Sequence, residues 1–122
     1  MTGLVQLTAM PAIKKQSKTN TAPRPLIIAV DFDGTLCKER WPNIGPPNQP
    51  LIDWLIFEKQ KGVKLILWTM RDGESLDAAI AWCAERGLVF DAVNDNLQIM
   101  KDRFNNNPRK VFADVYIDNR NM

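Results

Sequence analysis

The chain has 122 residues, a length that suits one domain with a single hydrophobic core. Hydrophobic residues make up 45% and charged residues 25%, values that exclude a disordered or fibrous protein. A net charge of +2 gives only weak support for nucleic-acid binding. The chain contains no histidine, which excludes Ser-His and Cys-His nucleophiles and leaves carboxylates, lysine, hydroxyls or a metal ion for any catalysis.

Two isolated cysteines and the lack of long apolar runs indicate the compartment. Cys37 and Cys83 have no CxxC spacing, so neither a zinc cluster nor a disulfide scaffold is predicted, and a reducing cytoplasm is expected. No run reaches the roughly 18 to 20 apolar residues of a membrane span, and Met1 to Met10 lack the features of a secretory signal. We therefore expect a cytoplasmic protein with no membrane partner.

The first strand follows a polar N-terminal segment. Residues 1–25 have no sustained period and end in a proline-rich stretch, so they are predicted to be a flexible extension, with residues 26–122 as the folded core. Leu26 to Val30 is a continuous apolar run of mostly branched residues. Such a run is typical of a strand buried on both faces of a parallel sheet, and it ends abruptly at Asp31.

A loop, a helix and a second strand are predicted next. Residues 38–50 contain four prolines, two asparagines and one glycine, a composition that predicts a loop. Apolar residues at helical spacing predict a helix from Pro50 to Lys61, which ends at Gly62. Val63 to Trp68 is predicted to be a second buried strand.

The last third of the chain completes an alternation of strands and helices. Apolar residues recur at i, i+3, i+4 and i+7 from Ser75 to Arg86, which predicts a helix. Leu88 to Val93 and Ala113 to Ile117 are predicted strands, separated by polar, irregular chain over residues 94–110. This order predicts an α/β fold, a three-layer Rossmann-like sandwich with a mainly parallel sheet.

Polar residues that can carry chemistry follow each predicted strand. In parallel sheets, ligands bind beyond the carboxyl ends of the strands. The residues at those ends are Asp31 to Thr35, Thr69 to Arg71, Asn94 to Asp95, and Asp118 to Asn119. Carboxylates gathered at one edge repel one another unless they share a cation, and hard oxygen ligands suit Mg²⁺. The charge pattern therefore predicts a magnesium site.

Three motifs point to a family. Asp31-Phe32-Asp33-Gly34-Thr35-Leu36 resembles the DxDGT motif, the first of four in the haloacid dehalogenase (HAD) superfamily of aspartate-nucleophile phosphatases. Leu67-Trp68-Thr69 resembles the second motif, hydrophobic residues closed by Thr or Ser, and Val115-Tyr116-Ile117-Asp118 resembles the fourth. The three motifs occur in the family's order.

The resemblance implies a two-step reaction. Asp31 would attack phosphorus to form an aspartyl-phosphate, which water then hydrolyses. Asp33 would protonate the leaving oxygen and later deprotonate water, a shuttle that contributes typically about 10²–10⁴-fold. Thr69 would offer its hydroxyl and a nearby backbone N–H to the phosphoryl oxygens.

The resemblance also implies where the metal and the substrate bind. Mg²⁺ would lie against the carboxylate of Asp31, the backbone carbonyl of Asp33, and Asp118. Gly34 permits a sharp turn after the strand, and Thr35 can help to fix that turn. Both residues of this turn are expected to contact substrate.

The third motif of the family is a lysine upstream of the last strand. Lys110 is the predicted residue, Lys101 is the alternative, and Arg109 can assist but presents a fork rather than a point charge. Met70 and Arg71, directly after the second motif, are predicted to bind substrate.

Two acids of the last strand have a spacing that suggests a metal pair. Four residues along a strand separate Asp114 from Asp118 by roughly 13 Å, so only one of them reaches the metal. Asp118 closes the strand, and Asp114 is expected near the opposite end in a structural role. Asn119 occupies the place where many relatives carry a second acid, so a second acidic metal ligand is not expected there.

Single residues in and near the motifs allow other interpretations. Cys37 follows the first motif, but without histidine to activate it a small apolar spacer is favoured over a thiol nucleophile. Cys83 is expected in the core. Trp41, in the predicted loop, is a candidate substrate contact. The EF-hand spacing fails because Gly34 follows Asp33 directly.

The favoured function is that of a magnesium-dependent phosphomonoesterase with a minimal cap, because residues 37–50 have room only for a small lid. Such an open site suits a phosphorylated macromolecule, including a nucleic-acid end, or a small substrate enclosed by a second subunit of a homo-oligomer. The rival is a non-catalytic binding or regulatory module, or a truncated product, since the chain stops at Met122 directly after the fourth motif. Intact Asp31 and Asp33 favour the enzyme.

Overall fold

The computed structural model describes residues 23–104 and 111–119. In chain order, its elements are β1 (Ile27–Val30), β2 (Cys37–Arg40), β3 (Asn43–Pro47), α1 (Gln49–Gln60), β4 (Lys64–Leu67), α2 (Gly73–Glu85), β5 (Ala92–Val93), α3 (Gln98–Phe104) and β6 (Val115–Ile117). Within these residues, no helix is long and apolar enough to cross a membrane.

The central sheet has four parallel strands in the order β5-β4-β1-β6. Val30 at the end of β1 is level with Leu67 of β4 and with Ile117 of β6. The three strands therefore end together, and the residues that follow them meet at one edge. This arrangement confirms the predicted α/β fold with a mainly parallel sheet.

Side chains alternate between the two faces of the sheet, and each face has its own core. Ile28 and Val30 pack with residues of α1 and α2, among them Leu55 and Cys83. The other face of β1 packs against α3 and the chain before β6, in a cluster formed by Ile27, Ala29, Ile66, Leu97, Met100, Val111 and Ala113. The sheet thus lies between two layers, as the Rossmann-like prediction requires.

Both long helices lie close to their predicted positions. α1 is capped by Asn48, whose side chain accepts a hydrogen bond from the backbone N–H of Leu51 at 3.4 Å. The chain leaves α1 through Gly62, whose φ of +102° is a conformation that glycine adopts readily. α2 begins at Gly73, two residues earlier than predicted, and ends one residue earlier.

The predicted loop over residues 38–50 is wrong. Most of it is an antiparallel hairpin, in which β2 and β3 form a two-stranded sheet separate from the central one. Prolines are tolerated in such a ribbon because its outer edge needs no N–H donors. Glycine is required at position 45 for a steric reason, since a Cβ there would lie 2.3 Å from the backbone oxygen of Lys38.

The region before β6 also differs from the prediction. Residues 94–110 were expected to be irregular, but α3 forms from Gln98 to Phe104 and buries Met100 against the sheet. The third and fourth strands shorten to Ala92–Val93 and Val115–Ile117. Of the predicted N-terminal extension, residues 1–22 lie outside the described residues.

Candidate active site

Asp31 and Asp118 lie side by side beyond the ends of β1 and β6. The backbone N–H of Asp31 donates to the carbonyl oxygen of Ile117 at 2.9 Å, which continues the ladder between the two strands by one residue. Both acids line one cavity of about 210 Å³, here called the carboxylate cavity. Its other lining residues are Ala29, Trp68, Val111, Tyr116 and Ile117.

The turn after β1 fixes the direction of Asp31. The Oδ1 atom of Asp31 accepts a hydrogen bond from the N–H of Phe32 at 2.8 Å. The Phe32 ring is fully buried and packs edge to face against Trp82, with 5.5 Å between the ring centroids. This packing holds the turn against the core. The Phe32 carbonyl then accepts hydrogen bonds from the next turn residues, Thr35 at 3.1 Å and Leu36 at 2.9 Å.

Gly34 and Thr35 lie in this turn, and neither is among the lining residues of the carboxylate cavity. Gly34 has a φ of +83°, and a Cβ there would lie 2.6 Å from the amide nitrogen of Asn119. Thr35 is 4% exposed, and its carbonyl accepts a hydrogen bond from Asn48. Its hydroxyl has no hydrogen-bond partner in the described part of the chain.

The carboxylate of Asp33 is held by Arg71. The guanidinium donates to both carboxylate oxygens of Asp33, each at 2.8 Å, in a bidentate ion pair. Arg71 is only 3% exposed but lines a cavity, and its predicted role as a substrate ligand stays a prediction. The hydrogen bonds with Asp33 raise the pKa of Arg71 above its usual value, despite the cost of burial.

Four further groups hold the Arg71 guanidinium in place. It lies 5.0 Å from the ring centroid of Phe32 and 4.9 Å from that of Trp41, both within cation–π range. It also donates to the backbone carbonyls of Asn43 at 3.1 Å and Ser75 at 3.2 Å. Arg71 therefore joins the turn after β1, the hairpin and the start of α2.

A second cavity, of about 200 Å³, opens beside this ion pair. It is lined by Asp33, Glu39, Trp41, Met70 and Arg71, and we call it the hairpin pocket. Met70, which was predicted to bind substrate, is 98% exposed in its wall. Glu39 and the stacking of Trp41 on Arg71 had no counterpart in the sequence reasoning, because the hairpin itself was predicted to be a loop.

Thr69 is fixed at the end of β4 by two hydrogen bonds. Its backbone N–H donates to Oδ1 of Asn94 at 2.8 Å, and its Oγ1 accepts from the N–H of Arg71 at 3.2 Å. A hydroxyl oxygen that accepts keeps its own hydrogen for donation. Asn94 was named only as a strand-end residue; its φ of +50° is a conformation that asparagine tolerates better than most residues.

Three cations were considered for the lysine position of the third motif. Two of them, Lys110 and Arg109, lie outside the residues that the structure describes. Lys101, the alternative, lies on α3, and its Nζ atom is 2.8 Å from Oδ2 of Asp95. Lys101 is thus paired with the acid that follows β5.

The acids present suit a magnesium ion that is bound by few carboxylates. Mg²⁺ commonly binds through one or two carboxylates and keeps several waters. Asp31 and Asp118, in one cavity, meet that requirement. The Asp33 side chain is turned into the hairpin pocket, so only its backbone remains to contribute, as the resemblance implies. Within residues 23–104 and 111–119, no group of three or more His, Cys, Asp or Glu side chains could hold a metal.

Asp114 lies at the opposite end of β6, as expected. Its carboxylate accepts from the backbone N–H of Ile27 at 2.8 Å and pairs with Arg24, whose Nη2 atom is 2.7 Å from Oδ1. The Arg24 guanidinium also lies 5.0 Å from the ring of Phe112. Arg24 belongs to the predicted flexible extension, yet here it packs against the core.

The two cysteines are free and buried. Burial raises the pKa of the Cys37 thiol above its usual value, and burial raises that of Cys83 to about 12. Reactive cysteines have depressed rather than raised pKa values. The core and spacer roles predicted for these residues agree with their burial.

Comparison with known proteins gives one informative match. A solved structure of a conserved protein from Bacteroides thetaiotaomicron is 42% identical in sequence and superposes with a TM-score of 0.70, over 81% of this chain and 79% of that one. No protein-family model and no curated protein matches the chain. The match supports the α/β fold described above.

Proposed function

The chain belongs to the same family as the conserved Bacteroides thetaiotaomicron protein, and we propose that it is a magnesium-dependent phosphomonoesterase whose nucleophile is Asp31. One observation carries the proposal: Asp31 and Asp118 share a cavity at the carboxyl edge of a parallel sheet, where such folds bind ligands. Asp33 lies two residues beyond the nucleophile, in an adjoining pocket. The resemblance to the HAD phosphatases assigns these three acids complementary roles.

In the first step, a carboxylate oxygen of Asp31 attacks the phosphorus atom. A bond forms between that oxygen and phosphorus, and the bond from phosphorus to the leaving oxygen breaks. The leaving oxygen takes a proton from the carboxyl group of Asp33 and departs as an alcohol. Because both oxygens of Asp33 accept hydrogen bonds from Arg71 in this structure, Asp33 must release one oxygen from the guanidinium and take up a proton from solvent before it can act as the acid.

In the second step, water attacks the phosphorus of the aspartyl-phosphate. Asp33 takes a proton from that water, the bond between phosphorus and the Asp31 oxygen breaks, and inorganic phosphate is released. Both acids return to their starting states, so the cycle consumes only ester and water. The hydroxyl of Thr69 is the donor proposed for a phosphoryl oxygen during both steps.

The carboxylate pair explains why a metal belongs in this scheme. A dianionic phosphate that enters the carboxylate cavity meets Asp31 and Asp118, and like charges at short range repel strongly. Mg²⁺ held by these two carboxylates and the Asp33 carbonyl would supply the positive charge that offsets this repulsion and polarises the phosphoryl group. Two free, buried cysteines agree with the reducing cytoplasm proposed as the compartment.

The test is hydrolysis of p-nitrophenyl phosphate with Mg²⁺, with EDTA in place of Mg²⁺, and by the variant Asp31→Asn. We expect activity that requires Mg²⁺ and falls by about 10³-fold or more in Asp31→Asn, since a neutral amide is not a nucleophile. Asp53→Asn is the matched control, because Asp53 is an exposed acid of α1 that lines neither cavity. Equal rates in all three proteins would remove Asp31 from the mechanism.

Nucleotides and 3′- and 5′-phosphorylated oligonucleotides belong in the same assay. Turnover confined to oligonucleotides would favour the nucleic-acid-end alternative. No turnover of any phosphomonoester, by a folded protein with Mg²⁺, would favour the non-catalytic rival.

A further inference from the structure

The hairpin pocket is bordered by Asp33, the acid that the proposed reaction places next to the leaving oxygen. Asp33 lines it together with two large apolar side chains, Trp41 and Met70. Trp41 is 55% exposed and Met70 is 98% exposed. Apolar groups held open beside a carboxylate are an unfavourable surface in water and a favourable one for a ligand with an apolar face.

The position of Trp41 is set before any ligand arrives. One face of its ring lies over the Arg71 guanidinium at 4.9 Å. Its backbone N–H donates to Oε2 of Glu39 at 2.9 Å, and the pairing of Arg40 with Asn43 closes the hairpin around it. A wall that is fixed in advance loses little conformational entropy when a ligand binds.

The charge of the pocket restricts what it accepts. Its lining carries two carboxylates, Asp33 and Glu39, and one guanidinium, Arg71, so its formal net charge is −1. Arg71 is already bound to Asp33 through both carboxylate oxygens, so it is not a spare anion receptor. The other two cations of the hairpin, Lys38 and Arg40, are not among the lining residues. A neutral or cationic group suits this pocket, and an anionic one is repelled.

We propose that the hairpin pocket receives the leaving group of the substrate and selects one that has a planar, apolar face and carries no negative charge. This inference rests on the proposed function, in which the leaving oxygen must come next to Asp33. The planar group lies against Trp41 and Met70, and Glu39 accepts hydrogen bonds from donor groups at its edge. The substrate class is therefore a small aromatic phosphomonoester, and a polyanionic nucleic-acid end is disfavoured.

Four phosphate esters of primary alcohols test this selection: benzyl phosphate, 4-carboxybenzyl phosphate, 4-(aminomethyl)benzyl phosphate and n-propyl phosphate. We expect kcat/KM for benzyl phosphate to exceed that for n-propyl phosphate by about tenfold, the size of effect that aromatic stacking supplies. We expect kcat/KM for 4-carboxybenzyl phosphate to be about tenfold lower than for benzyl phosphate, because the pocket repels its carboxylate. The ammonium group of 4-(aminomethyl)benzyl phosphate should cause no such loss. Equal values for the benzyl and propyl esters would overturn the proposal.

Variants connect the selection to the lining residues. Trp41→Ala should bring the benzyl ester down to the level of the propyl ester, and Glu39→Gln should recover part of the loss caused by the carboxylate. Trp54→Ala is the matched control, because Trp54 is a partly exposed tryptophan of α1 outside the pocket. A benzyl preference that survives Trp41→Ala, or one that Trp54→Ala also removes, would contradict the assignment.

A binding experiment separates this proposal from the proposed function. The protein carries ¹³C-methyl methionine, Met70→Leu identifies the Met70 signal, and the probe is benzyl alcohol, which contains no phosphate. We expect the Met70 signal to shift on titration in the wild type and not in Trp41→Ala, with benzoate producing a smaller shift. If no ester is hydrolysed but the signal shifts, the phosphatase proposal fails and the binding site stands. A Met70 signal that stays unchanged overturns the site itself.

Discussion

At the amino ends of the strands, two aspartates perform the same structural task. Asp114 accepts the backbone N–H of Ile27 in β1 at 2.8 Å, and Asp91 accepts that of Leu65 in β4, also at 2.8 Å. Each is paired with a cation: Nη2 of Arg24 lies 2.7 Å from Asp114, and Nζ of Lys59 lies 2.9 Å from Asp91. At this end of the sheet, the acids replace missing ladder partners.

At the carboxyl ends, the aspartates line cavities. Asp31 and Asp118 line the carboxylate cavity, and Asp33 lines the hairpin pocket. The Asp33–Arg71 pair resembles the Asp114–Arg24 pair in chemistry, but Asp33 also lines a cavity of about 200 Å³. We infer that the role of an acid in this fold depends on the end of the sheet it occupies, since the residue type is the same at both ends.

The largest effect that separates the two ends is expected from Asp118→Ala. Loss of this carboxylate should raise the Mg²⁺ concentration needed for half-maximal activity and lower turnover about 100-fold or more, because a metal supplies several kcal/mol of charge stabilisation. Neutral Asn119 cannot replace the lost charge. The measurement is a Mg²⁺ titration of activity, and a normal titration curve for this variant would break the comparison.

A smaller effect is expected at Arg71. Arg71→Lys keeps the charge but loses the fork that holds both oxygens of Asp33, so kcat should fall about 10-fold to 100-fold through misplacement of the acid. KM should change little. Steady-state kinetics decide between this role and the direct substrate contact predicted from the sequence, which would raise KM instead. Arg71→Ala should also lower the free energy of unfolding by about 3–5 kcal/mol, since it strands a paired charge.

Asp114→Ala should affect stability and leave the chemistry of the folded protein unchanged. The variant loses a partner for the Ile27 N–H and the ion pair with Arg24, which should cost about 1–3 kcal/mol of unfolding free energy. Thermal unfolding measures this cost, and Asp91→Ala, the equivalent change at β4, should behave alike. A changed Mg²⁺ titration curve in Asp114→Ala would contradict the structural role and the direction assigned to β6.

The smallest effect concerns the thiols. The pKa of Cys83 is about 12 in the folded protein, against 9.0 for an ordinary thiol. Its stabilising contribution is therefore complete below pH 9 and is lost as pH rises toward 12, because only the unfolded chain releases the proton in that window. Cys83→Ala should remove this part of the pH dependence of the unfolding free energy. Rapid labelling of either cysteine in the native protein at pH 8 would contradict their burial.

The sheet and its active edge could be predicted because their signals are local. Each of these strands is a short apolar run, and each run stops at a polar residue. The ends of β1, β4 and β6 could therefore be read from the sequence and then aligned by the rules of parallel sheets. The separation of Asp114 from Asp118 followed from strand geometry alone. The predicted third and fourth strands were too long. Before β5 and β6, the side chains of Asp91 and Asp114 accept hydrogen bonds from the backbone N–H groups of Leu65 and Ile27 in the neighbouring strands.

The hairpin and its contacts could not be predicted for a physical reason. A segment with four prolines has the composition of a loop. The two that lie in β3, Pro46 and Pro47, are tolerated because the outer edge of the ribbon needs no N–H donors. The Arg71–Asp33 pair joins residues 38 positions apart, and the stacking of Trp41 on Arg71 depends on where the hairpin folds back. The spacing of apolar and polar residues predicts neither contact, so the hairpin pocket could not be predicted from the sequence. The role of Lys110 stays a prediction.

The most direct test of the central claim is to trap the covalent intermediate. The protein is mixed with p-nitrophenyl phosphate and Mg²⁺, quenched in acid during turnover, digested and analysed by mass spectrometry for phosphorylated peptides. The proposed mechanism predicts phosphate on Asp31, dependent on Mg²⁺ and absent from Asp31→Asn. Phosphate on Asp33, Asp118 or any other residue of the active wild-type enzyme would contradict it.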